Sequence, residues 1–188
     1  MRVITGEYRG RKLETPTGYE IRPTSDKVKE SIFNLLMNDT WGQVFCDLFS
    51  GTGSLGIEAL SRGAKKCYFC DSARESIRLT RRNIEHCGAE ERAVILQGDY
   101  QRTLDRIHEK VDVFLLDPPY RAGLYEKCLL KIDRLDLLSR NGIIITEHGS
   151  RDAMPESAGR LKRIRECRYG KTVVSIYRYP QESVSEEE

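Results

Sequence analysis

No apolar run in this 188-residue chain approaches the roughly 20 residues needed to cross a bilayer. Residues 1–8 also lack the apolar centre of a signal peptide, so the expected address is cytoplasmic and no membrane partner is expected. Histidine is scarce, with three in the chain. The one closely spaced cysteine pair, Cys67 and Cys70, has neither a second pair nor a neighbouring histidine, and a zinc site needs about four such ligands, so no metal is expected. That pair sits in a strand-like run, where positions i and i+3 face opposite sides. The six cysteines are scattered through apolar stretches and read as small buried hydrophobes of a reducing compartment. Internal repeats are absent. The only biased stretch is a Ser/Glu tail from Ser183, too polar to pack.

A surplus of charge is also lacking, since the net value is +2. The distribution says more. Residues 1–12 hold Arg2, Arg9, Arg11 and Lys12 against Glu7, and residues 160–171 hold Arg160, Lys162, Arg163, Arg165, Arg168 and Lys171 against Glu166. Two concentrated basic segments suit a polyanion, and suit a solvated basic face equally well. The length fits one domain with a small appendage, and a monomer is the expectation.

Three parts are expected: an N-terminal β-hairpin extension at 1–22, a main domain at 23–180 and a disordered acidic tail at 181–188. The extension has β-type stretches at 2–4 and 11–14, broken by Gly6, Gly10, Pro16 and Gly18. Pro23, Thr24, Ser25 and Asp26 form a helix start, and Val28, Ile32, Leu35 and Leu36 follow on one helical face. Strand-like runs then fall at 44–48, 67–70, 93–96, 111–116 and 142–146. Helices alternate with them at 54–60, 72–87, after Tyr100, and at 124–138. Alternation of this kind gives a doubly wound α/β fold with a parallel sheet. The runs 161–167 and 172–179 flank Tyr169-Gly170 with no room for a crossover helix, so they form an antiparallel hairpin. The expected sheet has seven strands and is mostly parallel; a parallel sheet finished by an antiparallel hairpin resembles the Rossmann-like sheet of class I S-adenosylmethionine-dependent methyltransferases.

The segment Asp47-Leu48-Phe49-Ser50-Gly51-Thr52-Gly53-Ser54-Leu55-Gly56 joins the first strand to a helix. Gly51 and Gly53 permit a tight turn close to a ligand, and Gly56 permits close helix–strand packing. The glycines alone fit a nicotinamide cofactor too. Asp47 favours S-adenosylmethionine, because a carboxylate at the strand tip attracts an ammonium group and repels a pyrophosphate. Asp71, 20 residues after Gly51, is placed for ribose hydroxyls or for capping the next helix. Asp99 is placed for an adenine amino group or as a helix cap. The expected cofactor contacts are Asp47, Phe49, Ser50, Gly51, Gly53, Asp71, Ser72, Asp99, Tyr100 and Asp117.

Asp117-Pro118-Pro119-Tyr120 follows the most apolar strand, at the edge where α/β proteins bind ligands. Two prolines hold this backbone extended. An exocyclic base amine is a weak nucleophile with a delocalised lone pair. The Asp117 carboxylate and the Pro118 carbonyl can accept its hydrogen bonds, aim the lone pair and stabilise developing positive charge. Tyr120 offers a ring for stacking a flipped base. Methylation at base carbon uses a nucleophilic thiol, and no cysteine accompanies this motif, so nitrogen is the expected target.

The Asp-Pro-Pro-Tyr motif resembles the signature of amino-methyltransferases acting on adenine N6, cytosine N4 and guanine N2. More of the chain is similar to the RsmD family of bacterial 16S rRNA (guanine-N2)-methyltransferases. The similarity covers Gly6-Glu7-Tyr8-Arg9-Gly10-Arg11-Lys12-Leu13, residues 22–30, Asp47 to Gly56, Glu58-Ala59-Leu60-Ser61-Arg62-Gly63-Ala64, and Asp117 to Tyr120. The resemblance implies methylation of a guanine N2 in 16S rRNA, in the 30S subunit or an assembly intermediate. It also implies RNA contacts from Arg9, Arg11, Lys12, Arg22 and Lys27. One departure stands out: the family often has Glu-Lys-Asp after the second strand, where this chain has Asp71-Ser72-Ala73. Three rivals remain: an adenine-N6 methyltransferase of DNA or RNA, an NAD-linked oxidoreductase, and a non-catalytic RNA-assembly protein. The first would normally carry a target-recognition domain, for which 188 residues leave no room.

Overall fold

A computed structural model describes residues 1–16, 26–36, 40–119 and 123–181 of the chain. Arg22, the helix start at 23–25, Tyr120 and the tail at 182–188 lie outside the described residues. The elements run α1 (Asp26–Leu35), β1 (Val44–Asp47), α2 (Ser54–Ser61), β2 (Lys66–Asp71), α3 (Arg74–Cys87), β3 (Ala93–Gln97), α4 (Tyr100–Leu104), β4 (Val111–Leu116), α5 (Leu124–Arg134), β5 (Leu138–Gly149), β6 (Ser157–Ala158), β7 (Leu161–Tyr169) and β8 (Thr172–Arg178).

The strands form one sheet in the order β3-β2-β1-β4-β5-β8-β7-β6. Strands β1 to β5 are parallel to one another. Strand β8 inserts antiparallel between β5 and β7, which closes the sheet with a hairpin. The sheet has eight strands rather than the expected seven. The additional β6 is two residues long and pairs Ser157 with Lys162 and Ala158 with Leu161. Two residues carry no alternating pattern, and the turn that returns them to β7 rests on Gly159 at φ +59°. The helix expected to run to residue 138 ends at Arg134, and Asp136 then takes φ 52°, a left-handed value that a short polar side chain tolerates. Strand β5 accordingly begins early, with a register shift before Ile143.

Each face of the sheet carries its own core. Phe45, Cys67 and Phe69 pack with α1 and α2 on one side, while Cys46, Cys70 and Phe114 pack with α5 on the other. Cys67 and Cys70 therefore point to opposite faces, and both are buried free thiols. Among the described residues no group of His, Cys, Asp and Glu is placed to hold a metal ion, and no helix is long and apolar enough to cross a membrane. Gly56 brings α2 against β2: a Cβ there would lie 2.3 Å from Phe69 Cε1 and 2.8 Å from Cys67 Sγ.

The N-terminal segment is a short hairpin bridged at Arg2 and Lys12, with the Leu13 amide donating to the Met1 carbonyl at 3.0 Å. Its apolar residues Val3, Tyr8 and Leu13 belong to the core that holds α1 and α2. Glu58 and Ser61 of α2 clamp it. The Glu58 carboxylate accepts the amides of Ile4 at 2.8 Å and Thr5 at 3.0 Å, and Ser61 Oγ accepts the Tyr8 amide at 2.9 Å. Gly6, at φ +88°, is required here because a Cβ would lie 1.8 Å from the Ser61 carbonyl oxygen. Lys29 of α1 completes the unit from below. Its buried ammonium donates to the Arg2 carbonyl at 2.6 Å and lies 3.5 Å from Glu58 Oε2.

Candidate active site

The parallel strands β1 to β4 all end at one edge, and the segments leaving them meet there. After β1, Gly51 and Gly53 adopt φ +54° and +78°, and a Cβ on Gly51 would touch nothing within 4 Å. The loop backbone thus faces open space, as a ligand cradle requires. Asp71 of β2 holds the loop, its Oδ2 accepting the Gly51 amide at 2.9 Å while Oδ1 accepts the Ala73 amide at 2.8 Å. The second oxygen satisfies a start-of-helix amide that Ala73, lacking a polar side chain, leaves to a neighbour. Ser72 beside it is exposed. Asp99 caps α4 by accepting the Arg102 amide at 3.0 Å, so the cap reading of this residue is realised. Phe49 and Tyr100 are half-buried against the α5-side core. Asp117 is half-buried, Pro118 buried and Pro119 exposed, all directly after β4.

Asp47 is 2% exposed, and its Oδ2 accepts the Gly56 amide at 3.0 Å. Burial pushes its carboxyl up to about 7, the Gly56 amide opposes that rise, and the nearby Asp71 charge adds to it. A consequence follows for stability. Between about pH 4 and 7 the folded chain holds a proton on Asp47 that the unfolded chain has lost. Stability should therefore fall as pH rises through that window, by on the order of 4 kcal/mol, and level off above it. The Asp47→Asn variant should lack this component. Urea melts of both proteins from pH 4.5 to 8 test it; parallel profiles would refute the assignment.

Two supports were not legible in the residue pattern around the loop. Thr80 Oγ1 donates to the Gly51 carbonyl at 3.0 Å, and Asn83 Nδ2 donates to the Thr52 carbonyl at 2.9 Å. Asn83 also joins Glu14 through both backbone groups, accepting its amide at 2.7 Å and donating to its carbonyl at 3.1 Å. Their sequence signal is a pair of polar residues at i and i+3 inside the apolar stripe of α3, which also contains Ile77, Ile84 and Cys87.

Charge completes the description. The segments 48–53, 71–73, 98–100 and 117–119 contain Asp71, Asp99 and Asp117 and no Lys or Arg, with Asp47 beneath them. Such an edge accepts hydrogen bonds and attracts cations, and it repels a pyrophosphate. Its donor and acceptor set fits the ammonium, sulfonium and ribose hydroxyls of S-adenosylmethionine better than a dinucleotide.

The expected RNA contacts are placed differently from one another. Arg9, Lys12 and Lys27 are exposed. Arg11 is exposed too, but its guanidinium donates to the carbonyls of His86 at 3.2 Å and Cys87 at 2.5 Å, at the end of α3. The hairpin tip carrying Arg9 lies beside Ser61, where the Glu7 amide meets the Ser61 carbonyl at 2.8 Å. This is the far end of α2 from the glycine loop, about 12 Å along an eight-residue helix.

Residues 1–178 match the family described as Conserved hypothetical protein 95. The chain belongs to that family, RsmD. A relative from Bacillus subtilis, described as a putative rRNA methyltransferase YlbH, is 39% identical over 95% of this chain and 98% of its own length. Ribosomal RNA small subunit methyltransferase D of Haemophilus influenzae is 36% identical over 78% of each chain. Among solved structures, a putative methyltransferase yhhF from Escherichia coli superposes with a TM-score of 0.85 at 27% identity, covering 96% of this chain and 99% of that one. The structure explains one property of the RsmD sequence pattern. In this chain its Gly6-Glu7-Tyr8-Arg9-Gly10 and Glu58-Ala59-Leu60-Ser61-Arg62-Gly63-Ala64 stretches form a single unit, because Ser61 accepts the amides of Glu7 and Tyr8 while Glu58 accepts those of Ile4 and Thr5 just before.

Proposed function

We propose that this chain transfers a methyl group from S-adenosylmethionine to the exocyclic N2 of a guanine in 16S rRNA, in the 30S subunit or an assembly intermediate. The observation that carries the reading is the carboxylate-bearing edge, where Asp71, Asp99 and Asp117 meet the glycine loop. Asp117 and its two prolines follow β4, the strand next to the one that leads into the Gly51–Gly53 loop. The names of the relatives supply ribosomal RNA as the substrate class.

The cofactor supplies an electrophilic methyl group on a sulfonium. Everything else falls to the chain. The Gly51–Gly53 backbone cradles the amino-acid end, Asp71 and Ser72 face the ribose, and Asp99 and Tyr100 border the adenine. Asp117 and the Pro118 carbonyl accept hydrogen bonds from the base amine and hold its lone pair in line with the methyl group. S-adenosylmethionine held in this cradle would supply its methyl group to the amine nitrogen; Asp117 would face the positive charge that develops there, and the released proton would pass to solvent. Tyr120 stacks the extruded base, and Arg9, Arg11, Lys12, Arg22 and Lys27 contact RNA. In that role Arg11 would have to exchange the end of α3 for a phosphate.

The test is incubation with methyl-labelled cofactor and 30S particles, naked 16S rRNA, or DNA, followed by digestion to nucleosides. Label is expected in N2-methylguanosine from the ribosomal substrates. Label in N6-methyladenine, or in DNA alone, would sink the proposal.

A further inference from the structure

The second basic segment of the sequence has no role in the site so far, yet the fold brings its end, Arg168 to Lys171, to the same edge. Thr146 of β5 lies level with Leu116, the last residue of β4, and β5 then continues to Gly149, opposite Thr172 of β8. The turn between β7 and β8 therefore projects three residues, roughly 10 Å, beyond the level of Leu116. It stands as a wall on the far side of β5 from Asp117. The turn after β5 is fastened to it, the Ser150 amide donating to the Lys171 carbonyl at 3.0 Å.

The exposed cations of this wall are Arg151, Arg168 and Lys171, with exposed Arg165 lower on β7 at the level of Leu115. Its acids are already engaged. Asp152 accepts the Gly149 amide at 2.7 Å, and Glu166 is 3.3 Å from Arg163 and 3.7 Å from Arg168. Arg151, Arg165 and Lys171 have no acid partner among the described residues. Strand β7 also has an open outer edge, because β6 pairs only with Leu161 and Lys162. A register shift between Arg163 and Arg165 leaves Ile164 56% exposed. Open strand edges invite pairing with another strand, and a row of charged side chains prevents it. The surface suits a polyanion better than a peptide.

We infer that the β7–β8 hairpin and the turn at 150–152 form a second contact surface, one that grips the phosphate backbone of RNA flanking the target base. This rests on the reading of the chain as an RNA methyltransferase. The division of labour is electrostatic. The strand edge around Asp117 is negative and repels phosphates, so the backbone must be held from its flank while one base reaches in.

The test compares wild type with an Arg151→Gln, Arg165→Gln, Lys171→Gln triple variant, which leaves every ion pair described above intact. Binding of a 16S rRNA transcript is measured across salt concentrations. The slope of log affinity against log salt should become shallower by about 2, as expected for the loss of three phosphate contacts, and affinity should fall at least tenfold at moderate salt. Cofactor affinity and melting temperature should remain at wild-type values, and the KM for RNA should rise. A control removes equal charge away from this edge, with Lys65→Gln, Arg81→Gln and Arg134→Gln. An unchanged slope in the first variant, or an equal change in the control, overturns the surface while leaving the methyltransferase reading in place. A wild-type chain that neither binds nor methylates the transcript overturns both.

Discussion

Replacing Asp117 with alanine is expected to lower the turnover of methyl transfer by ~10³-fold or more, with a far smaller change in cofactor affinity. The expectation follows from where the side chain stands. It leaves the end of β4 beside the glycine loop, and the prolines after it hold the backbone without help from a ladder. Its proposed partner is an amine whose lone pair becomes available only when both hydrogens are held. The developing charge is positive, so the carboxylate interacts more strongly with the transition state than with the ground state, and its loss should appear in kcat. Asp117→Asn separates the contributions. An amide oxygen still accepts one hydrogen bond but brings no charge, so a loss intermediate between wild type and alanine is expected. Single-turnover rates with saturating RNA, beside calorimetric titration of the cofactor, provide the measurement. Loss of cofactor binding in parallel with rate would assign Asp117 to the cofactor instead of the base.

The largest effect on stability is expected at Glu58. This carboxylate is fully buried and holds the amides of Ile4 and Thr5, the Arg62 guanidinium at 2.9 Å and the Lys29 ammonium. Glu58→Ala strands a buried ammonium and two backbone donors. Removing one partner of a buried pair costs about 3–5 kcal/mol, and each orphaned donor adds about 1–3. That sum rivals the whole stability of an ordinary domain, about 5–15 kcal/mol. Burial already pushes the Lys29 amine below its ordinary range, against the pull of Glu58. A Lys29→Met, Glu58→Gln double variant leaves no buried ammonium unpaired and keeps an amide oxygen to accept from Arg62, so it should be clearly more stable than Glu58→Ala. Denaturant midpoints decide between these outcomes. A Glu58→Ala protein that melts with wild type would show that the clamp contributes little.

The parts of this fold that were legible in the sequence are those specified by residues close together in the chain. Val111 to Leu116 reads as a strand buried on both faces because every neighbour supports it, and Gly51, Gly53 and Gly56 announce a loop and a close packing that the structure contains. The illegible parts depend on distant partners. Nothing near Glu58 says that it will meet Ile4 and Thr5, 54 and 53 positions away. Asn83 likewise looks like one polar residue in an amphipathic helix until Glu14 and Thr52 are seen on either side of it. Asp99 offered two readings that local pattern could not separate, and the Arg102 amide realises one of them. Strand β6 was missed because two residues carry no period.

The docking of the N-terminal hairpin bears on how the chain is made. Residues 1–14 find their partners at Glu58, Ser61, Asn83 and Arg92, the last of which pairs with Glu7 at 2.8 Å. This segment leaves the ribosome before its partners and must therefore wait until some eighty more residues have followed it, at about 5–20 residues per second. For several seconds Val3, Tyr8 and Leu13 lack the α2 and α3 residues of their core, and neither the glycine loop nor α3 has its N-terminal brace. The glycine loop and the hairpin that braces its helices thus mature together, once α3 has been made, rather than as separate modules.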